Sequence, residues 1–503
     1  MKYSDNDTRA IKIIKDKTLT VNQQFIDLHK VGENTCDFIE LDQDYIDAIN
    51  DNIICDLNEG KTPFRPRYIM PDYELFFKKG SEFLQLDIPK NLQEACTYLL
   101  IFYANSPSVT MYPVYLGNLD SLLEPFYIDY QSSKDILRLF LLQIDKTLSN
   151  SFVHANIGPY DTKIGRVILD LTKEMNLAIP NITLLYDKDK TSDEFAQLCI
   201  DCSLYTSKPS FANDIMFKND LGHYGIASCY NGFAIGGGAY SMNRLRLGAV
   251  GRKAKSIDDF FDNVLPFYVK ILINNLDKRV KFLREEAAYF KSNFLVKESF
   301  LDPDKFVALL GIVGLGECCN ILMGIDDKAL GYGYNKEVDM LGVKILDKIN
   351  ILLKENKISY SKFTNGQVLL HAQVGIDTDG CDNSPGARIA IGYEPSIIEQ
   401  IVHSTNYHKY FPTGVGDIYK FDETYINTPD AILDIIKGGF NKGMRYFSCY
   451  LDGGDVVRVT GYLVKRSEIL KLKNGQQSIN SATVLGKGAA ELGSALDRRL
   501  NSK

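Results

Sequence analysis

The sequence predicts an α/β protein: a barrel or a doubly wound sheet, with a mainly helical N-terminal part packed on it. Three observations predict it. From residue 151 onward, short apolar runs of strand length alternate with longer stretches of helical period. Residues 1–150 carry helical periodicity interrupted by loops. The 503 residues are 45% hydrophobic and 24% charged, which excludes a disordered or fibrous chain and supplies a large dry core. At about 150 residues per domain, the length suits about three domains or one large barrel with insertions. No clear linker, repeat or low-complexity tract divides the chain, so 1–150, 151–440 and 441–503 are read as parts of one body.

The elements follow in chain order. Residues 92–104 and 133–145 have helical period. Between 62 and 72, Pro63, Pro66 and Pro71 enforce an extended loop. Residues 181–186 read as a strand and 191–205 as a helix. Ser256 opens a capping-box-like start to a long helix running towards residue 290, which Pro266 should kink. Residues 368–374 and 444–450 are strand-like.

A net charge of −7 argues against a nucleic-acid coat. The longest apolar run, 306–316, is broken by Gly311 and Gly314 and falls short of the roughly 20 residues a bilayer-crossing helix needs. The first residues are polar and acidic, with no apolar signal segment behind them. A cytoplasmic, membrane-free protein with reduced thiols is expected.

The ten cysteines are therefore core residues, metal ligands or catalysts. Cys199 and Cys202 form one C-x-x-C pair without a second pair to complete a zinc tetrahedron, so no metal site is expected. They read as helix cysteines one turn apart, and Cys36, Cys55 and Cys96 as small core residues in helical text. Cys229, the adjacent Cys318 and Cys319, and Cys449 stand in different company. Glycines crowd the first two places, and Cys449 lies in a strand-like run. Gly311-x-x-Gly314-x-Gly316 is not a dinucleotide fingerprint, Gly486-Lys487-Gly488 lacks Walker spacing, and no G-x-S-x-G elbow is present.

The deciding motif is Arg458-Val459-Thr460-Gly461-Tyr462. It resembles the radical signature of glycyl radical enzymes. A chance match of its four fixed positions is expected about once in 300 chains of this length. The chemistry explains the glycine. A radical at Cα is delocalised over two flanking amides only if Cα flattens, and a side chain would crowd that geometry. The radical must be shielded from oxygen and water, so it belongs deep in the fold.

The resemblance widens beyond the motif. The run from Ser228 and Cys229 through Gly236-Gly237-Gly238 to Leu245 looks like the cysteine loop and following strand of anaerobic (class III) ribonucleotide reductases. Residues 311–317 are similar to a helix that follows there. Over nearly the whole chain, including residues 67–73 and 112–120, the likeness is to the YjjI family of glycyl radical enzymes.

That resemblance implies a ten-stranded glycyl-radical-type α/β barrel holding the cysteine loop in 151–440 and the radical region in 441–503. It implies a radical on Gly461, with Arg458, Val459 and Tyr462 around it. No cofactor is bound permanently. The radical is installed by a separate radical S-adenosylmethionine activating enzyme carrying a 4Fe–4S cluster, under anaerobic conditions. Cys229 is the expected thiyl, within about 6 Å of Gly461. Cys318 or Cys319 is the alternative, because pyruvate formate-lyase-like members use adjacent cysteines. Cys449 or Cys381 could supply a second thiol to a reductase.

Glu317 and His371, with Asp377, Asp379 and Glu394, are acid/base candidates for a dehydratase or lyase. The reductases carry a nucleotide-sensing domain and a four-cysteine zinc site around the glycyl loop; no cysteine follows Gly461 here, which argues against that zinc site and puts nucleotide regulation and ribonucleotide reduction in doubt. The expected substrate is a small polar molecule such as a sugar, nucleoside or diol. Reductase-like, acyl-transfer and non-catalytic radical-loop roles are the alternatives. A homodimer is the expected assembly.

Overall fold

The computed structural model describes residues 5–479 except 34, 36, 56–58, 61, 374–383, 452–453 and 459–460. In chain order its strands are β1 (Ile54–Cys55), β2 (Tyr68–Ile69), β3 (His154–Ile157), β4 (Asn181–Tyr186), β5 (Ser210–Asn213), β6 (Tyr224–Ala227) and β7 (Asn231–Ala234). They continue as β8 (Gly238–Arg246), β9 (Phe306–Val313), β10 (Leu369–Ala372), β11 (Asp417–Phe421), β12 (Tyr446–Leu451), β13 (Val456–Arg458) and β14 (Leu463–Lys465).

These strands assort into two five-stranded sheets and two hairpins. In the first sheet, β8, β9 and β10 run parallel, and β1 and β2 both lie antiparallel on β8. The order in the second is β11-β12-β5-β4-β3, with β12 antiparallel to β5. The hairpins β6–β7 and β13–β14 belong to neither sheet.

Each sheet follows from its residues. β9 is buried along its whole length and reads as one apolar run, as a parallel strand covered on both faces must. The second sheet alternates with period two. His154, Asn156, Asn181, Thr183, Ser210, Tyr446 and Ser448 share one face through the strand register. Ala155, Ile182, Leu184, Phe211, Phe447 and Cys449 share the other, which packs on helices such as Asp193–Thr206. Both faces are buried, so the polar face needs internal partners.

The helices Leu92–Ala104, Tyr130–Thr147 and Asp193–Thr206 lie where periodicity puts them, capped by Asn91, Asp129 and Ser192. Several expectations are corrected. Cys55 is on a strand and only half buried, because β1 caps an edge of the first sheet; Cys36 lies outside the described residues. The segment 62–72 contains the short strand β2.

Residues 311–313 are the end of β9 and not helix. Gly314 turns the chain at φ 77°, and the helix Leu315–Met323 begins after it. The helix capped by Ser256 ends at Glu286 and contains two π segments, Phe260–Val264 and Phe282–Glu286. Pro266 lacks the N–H an α-helix would use, and the wider turn just before it absorbs the loss. Among the described residues no helix is long and apolar enough to cross a membrane.

Candidate active site

The two hairpins meet tip to tip. Gly461 lies in the turn joining β13 to β14, and Cys229 lies in the turn joining β6 to β7. A Cβ built on Gly461 would stand 2.3 Å from the Cys229 Cβ, 2.9 Å from its Sγ and 3.1 Å from the Tyr230 ring. No side chain fits there. With a Cα–Cβ bond of about 1.5 Å, the Cys229 sulfur is within roughly 4.5 Å of the Gly461 Cα. Both residues are buried.

The polar face of the second sheet supports both tips. The Gly461 carbonyl accepts from Arg458 Nη1 at 3.1 Å and from Asn181 Nδ2 at 3.3 Å. Arg458 is fully buried and also donates to the Ser207 carbonyl at 2.6 Å. Burial pulls its guanidinium below the ordinary value. Tyr462 is buried edge-on against Phe152, with ring centroids 5.5 Å apart. Val459 lies outside the described residues.

A closed set of bonds holds the cysteine turn. His154 Nδ1 is 2.7 Å from the Ser228 carbonyl and its Nε2 is 2.8 Å from the Thr183 hydroxyl. Thr183 is 2.7 Å from the Tyr446 hydroxyl, which donates to the Cys229 carbonyl at 3.0 Å. A carbonyl can only accept, so His154 carries its hydrogen on Nδ1. Burial pushes His154 down to about 3, which keeps it neutral. The Ser228 N–H donates to the Val114 carbonyl at 2.9 Å, and Ser228 takes φ +58°. Asn156 pins β6 by two bonds to Ile226.

The first sheet reaches the same turn from the other side. The Tyr230 hydroxyl donates to the Ala372 carbonyl at 3.2 Å, and its ring centroid is 6.5 Å from that of His371. His371 Nδ1 is 3.0 Å from the Thr413 hydroxyl, which itself donates to the Leu370 carbonyl. Nδ1 therefore holds the hydrogen, and the buried Nε2 is an acceptor with no partner among the described residues. Burial pushes His371 down to about 3, so it stays neutral and is a feeble base.

The Cys229 thiol is pushed up to about 11 by burial, against the pull of Arg458, Arg388 and Arg67. It is a thiol and not a thiolate at neutral pH. A nucleophilic cysteine needs the opposite shift, whereas a hydrogen-atom donor needs its S–H. Burial raises Cys318 and Cys449 as well, so geometry rather than acidity distinguishes Cys229.

The other candidates lie elsewhere. Cys318 packs against Gly251 in the helix Leu315–Met323, and Cys319 lies on the side of Tyr332 and Tyr407. Cys449 is on the apolar face of β12, beside Ser203. Glu317 Oε1 accepts from the N–H and hydroxyl of Ser384 at 2.9 and 2.6 Å, tying down that segment. Glu394 accepts from Gly392 N–H within a turn. Asp377, Asp379 and Cys381 lie outside the described residues.

Reading the sequence missed His154, Asn156, Asn181, Thr183, Tyr230 and Tyr446. The usable signal was polar residues two apart within otherwise apolar strands, as in Asn181-Ile182-Thr183-Leu184.

Comparison with known proteins gives consistent results. The family profile described as "Glycyl radical enzyme YjjI-like" matches residues 19–501. An uncharacterised protein of Haemophilus influenzae is 43% identical over 497 residues, 97% of this chain and 96% of that protein. Hydroxyproline dehydratase from Clostridioides difficile, solved with trans-4-hydroxy-L-proline bound, aligns with TM-score 0.71 at 11% identity, over 97% of this chain and 88% of that chain. The anaerobic ribonucleotide reductase of Thermotoga maritima aligns with TM-score 0.69 at 12% identity, over 90% and 89%. At such identities the likeness to the two solved structures is one of fold.

Proposed function

This chain belongs to the YjjI-like family of glycyl radical enzymes, and from that premise we propose that it stores a radical on Gly461 and acts through a Cys229 thiyl. The observation that carries the reading is the contact of Gly461 with Cys229, 2.9 Å from a Cβ on the glycine to Sγ. The two five-stranded sheets are read as halves of one barrel around the hairpins.

The step is a hydrogen-atom exchange. The Cys229 S–H bond breaks, a Cα–H bond forms on Gly461, and the unpaired electron moves to sulfur. The thiyl then takes a hydrogen atom from a substrate C–H. In the favoured reading the carbon radical bears a hydroxyl of its own: the neighbouring hydroxyl leaves, the radical carbon's hydroxyl gives up the proton that completes water and becomes a carbonyl, and the product radical recovers a hydrogen atom from Cys229. This elimination is redox-neutral. Ribonucleotide reduction would consume two electrons from a second thiol or an external reductant. Among the described residues, Cys318, Cys319 and Cys449 all pack away from the Cys229 turn. That separation favours a lyase or dehydratase over an acyl transferase needing adjacent cysteines. A separate radical S-adenosylmethionine enzyme installs the radical, and the chemistry is anaerobic and cytoplasmic.

Anaerobic treatment with such an activating enzyme, S-adenosylmethionine and a reductant tests this. The expected result is an electron paramagnetic resonance doublet from the one hydrogen left on Gly461, and chain cleavage there on exposure to air. Gly461→Ala should show neither. Cys229→Ala should keep the doublet and lose turnover. A doublet in Gly461→Ala, or turnover by Cys229→Ala, would overturn the reading.

A further inference from the structure

Ser228, the residue before the reacting cysteine, spends all three of its polar groups inside the turn. It is 1% exposed. Its N–H donates to the Val114 carbonyl at 2.9 Å, and its carbonyl lies 2.7 Å from His154 Nδ1. Its hydroxyl donates to the Cys229 sulfur, with Oγ and Sγ 3.8 Å apart, a weak bond to a large and weak acceptor.

The direction of that bond leaves the cysteine hydrogen available. The oxygen gives its hydrogen to the sulfur, so the Cys229 S–H is not spent on Ser228. No other hydrogen bond among the described residues uses it. The neighbour on the far side of the sulfur is Gly461, where a built Cβ would stand 2.9 Å from Sγ. The backbone adds a second observation. Ser228 takes φ +58°, in the left-handed region that strains a residue with a Cβ and suits glycine. Strain of that kind gathers beside reacting groups. A glycine would relieve it and lose the hydroxyl.

We propose that Ser228 is a positioning residue for the hydrogen exchange: by donating to Cys229 Sγ it fixes the sulfur and leaves the S–H directed at Gly461. This deepens the radical reading and rests on it for the exchange itself. The S–H bond breaks and the Gly461 Cα–H bond forms as before. Ser228 keeps its own hydrogen throughout, because an alcohol O–H bond is too strong for a thiyl to cleave. A hydroxyl therefore stands beside the thiyl without being consumed.

The test compares Ser228→Ala, which removes the hydroxyl and keeps the strain, with Ser228→Gly, which removes both. One arm needs no radical. Cys229 in the unactivated full-length protein is alkylated anaerobically with iodoacetamide at pH 9 and followed by peptide mass spectrometry. The hydroxyl favours the thiolate against burial, so its loss should slow labelling about threefold in both variants, although each leaves the reagent more room. In the other arm the activated enzyme is moved into heavy water. The radical doublet should collapse about fivefold more slowly in both variants than in the wild type.

Urea unfolding separates positioning from simple support. Ser228→Gly should be more stable than Ser228→Ala and yet exchange no faster. If Ser228→Ala does not fold, Ser228→Gly carries both arms. Labelling as fast as in the wild type, collapse at the wild-type rate, or exchange that recovers with stability in Ser228→Gly contradicts the proposal. Absence of a doublet in the wild type would sink the radical reading and leave the alkylation arm standing.

Discussion

Gly461 is a glycine because of what stands beside it. The constraint is the Cys229 Cβ, 2.3 Å from where a side chain would begin. Gly461→Ala should therefore cost about 1–3 kcal/mol in urea unfolding, as overpacking does. In a Cys229→Gly background most of that cost should disappear, since both offending atoms are gone. A coupling of less than about 0.5 kcal/mol between the two sites would contradict the contact.

The thiol makes a separate prediction. The alkylation rate of a free cysteine is half its maximum near pH 8.5 and levels off above it, whereas the iodoacetamide rate at Cys229 should keep climbing about tenfold per pH unit towards pH 11. A rate that levels off by about pH 9.5 would mean a solvated thiol. At this scale Gly461 was readable from its motif and Cys229 from its setting. His154 and Thr183 were not, because neither differs from an ordinary strand residue until the register brings them together.

Strands and hairpins explain why the two tips stay in contact. The polar face of the second sheet does not dissolve into water; it spends its donors and acceptors on the turns it supports. Tyr446→Phe removes the hydroxyl that serves the Cys229 carbonyl. It should cost about 1–3 kcal/mol if no water replaces it. The radical doublet should persist while turnover falls, because Gly461 is held by Arg458 and Asn181 instead. Loss of the doublet together with turnover would mean that the two hairpins are not held independently.

Element positions were largely legible, since β4 and the helices Leu92–Ala104 and Asp193–Thr206 follow from periodicity and caps. The π segments around Pro266 were not, because a period of 3.6 hides an occasional wider turn.

Over the whole molecule, buried titratable groups set the response to acid. His154, His371 and His408 are each pushed down to about 3 by burial, from 6.5. Between those values the unfolded chain binds more protons, so stability rises with pH and is lost on acidification. Asp120, raised to about 7 by burial from 3.8, works the other way across that window, as does the raised Glu317. Three groups outweigh two. Unfolding at pH 5 should take up at least one net proton, and stability should fall by about 1–2 kcal/mol from pH 6 to pH 5. Stability that is flat or rises on acidification would show these histidines to be solvated.

At this scale the α/β class was legible from the alternation of runs. The division into two sheets was not. It depends on pairings distant in sequence, such as Tyr446 with Ala212 and Tyr68 with Ala239. Local pattern carries no trace of them.

In the proposed mechanism Gly461 and Cys229 exchange a hydrogen atom. A thiol hydrogen equilibrates with solvent, so the exchange should carry deuterium from heavy water onto the Gly461 Cα. The measurement is the radical spectrum of the activated enzyme moved anaerobically into heavy water. The doublet should collapse to a single broad line in the wild type and persist in Cys229→Ala. A doublet that survives in the wild type, or collapses equally in the variant, would contradict it.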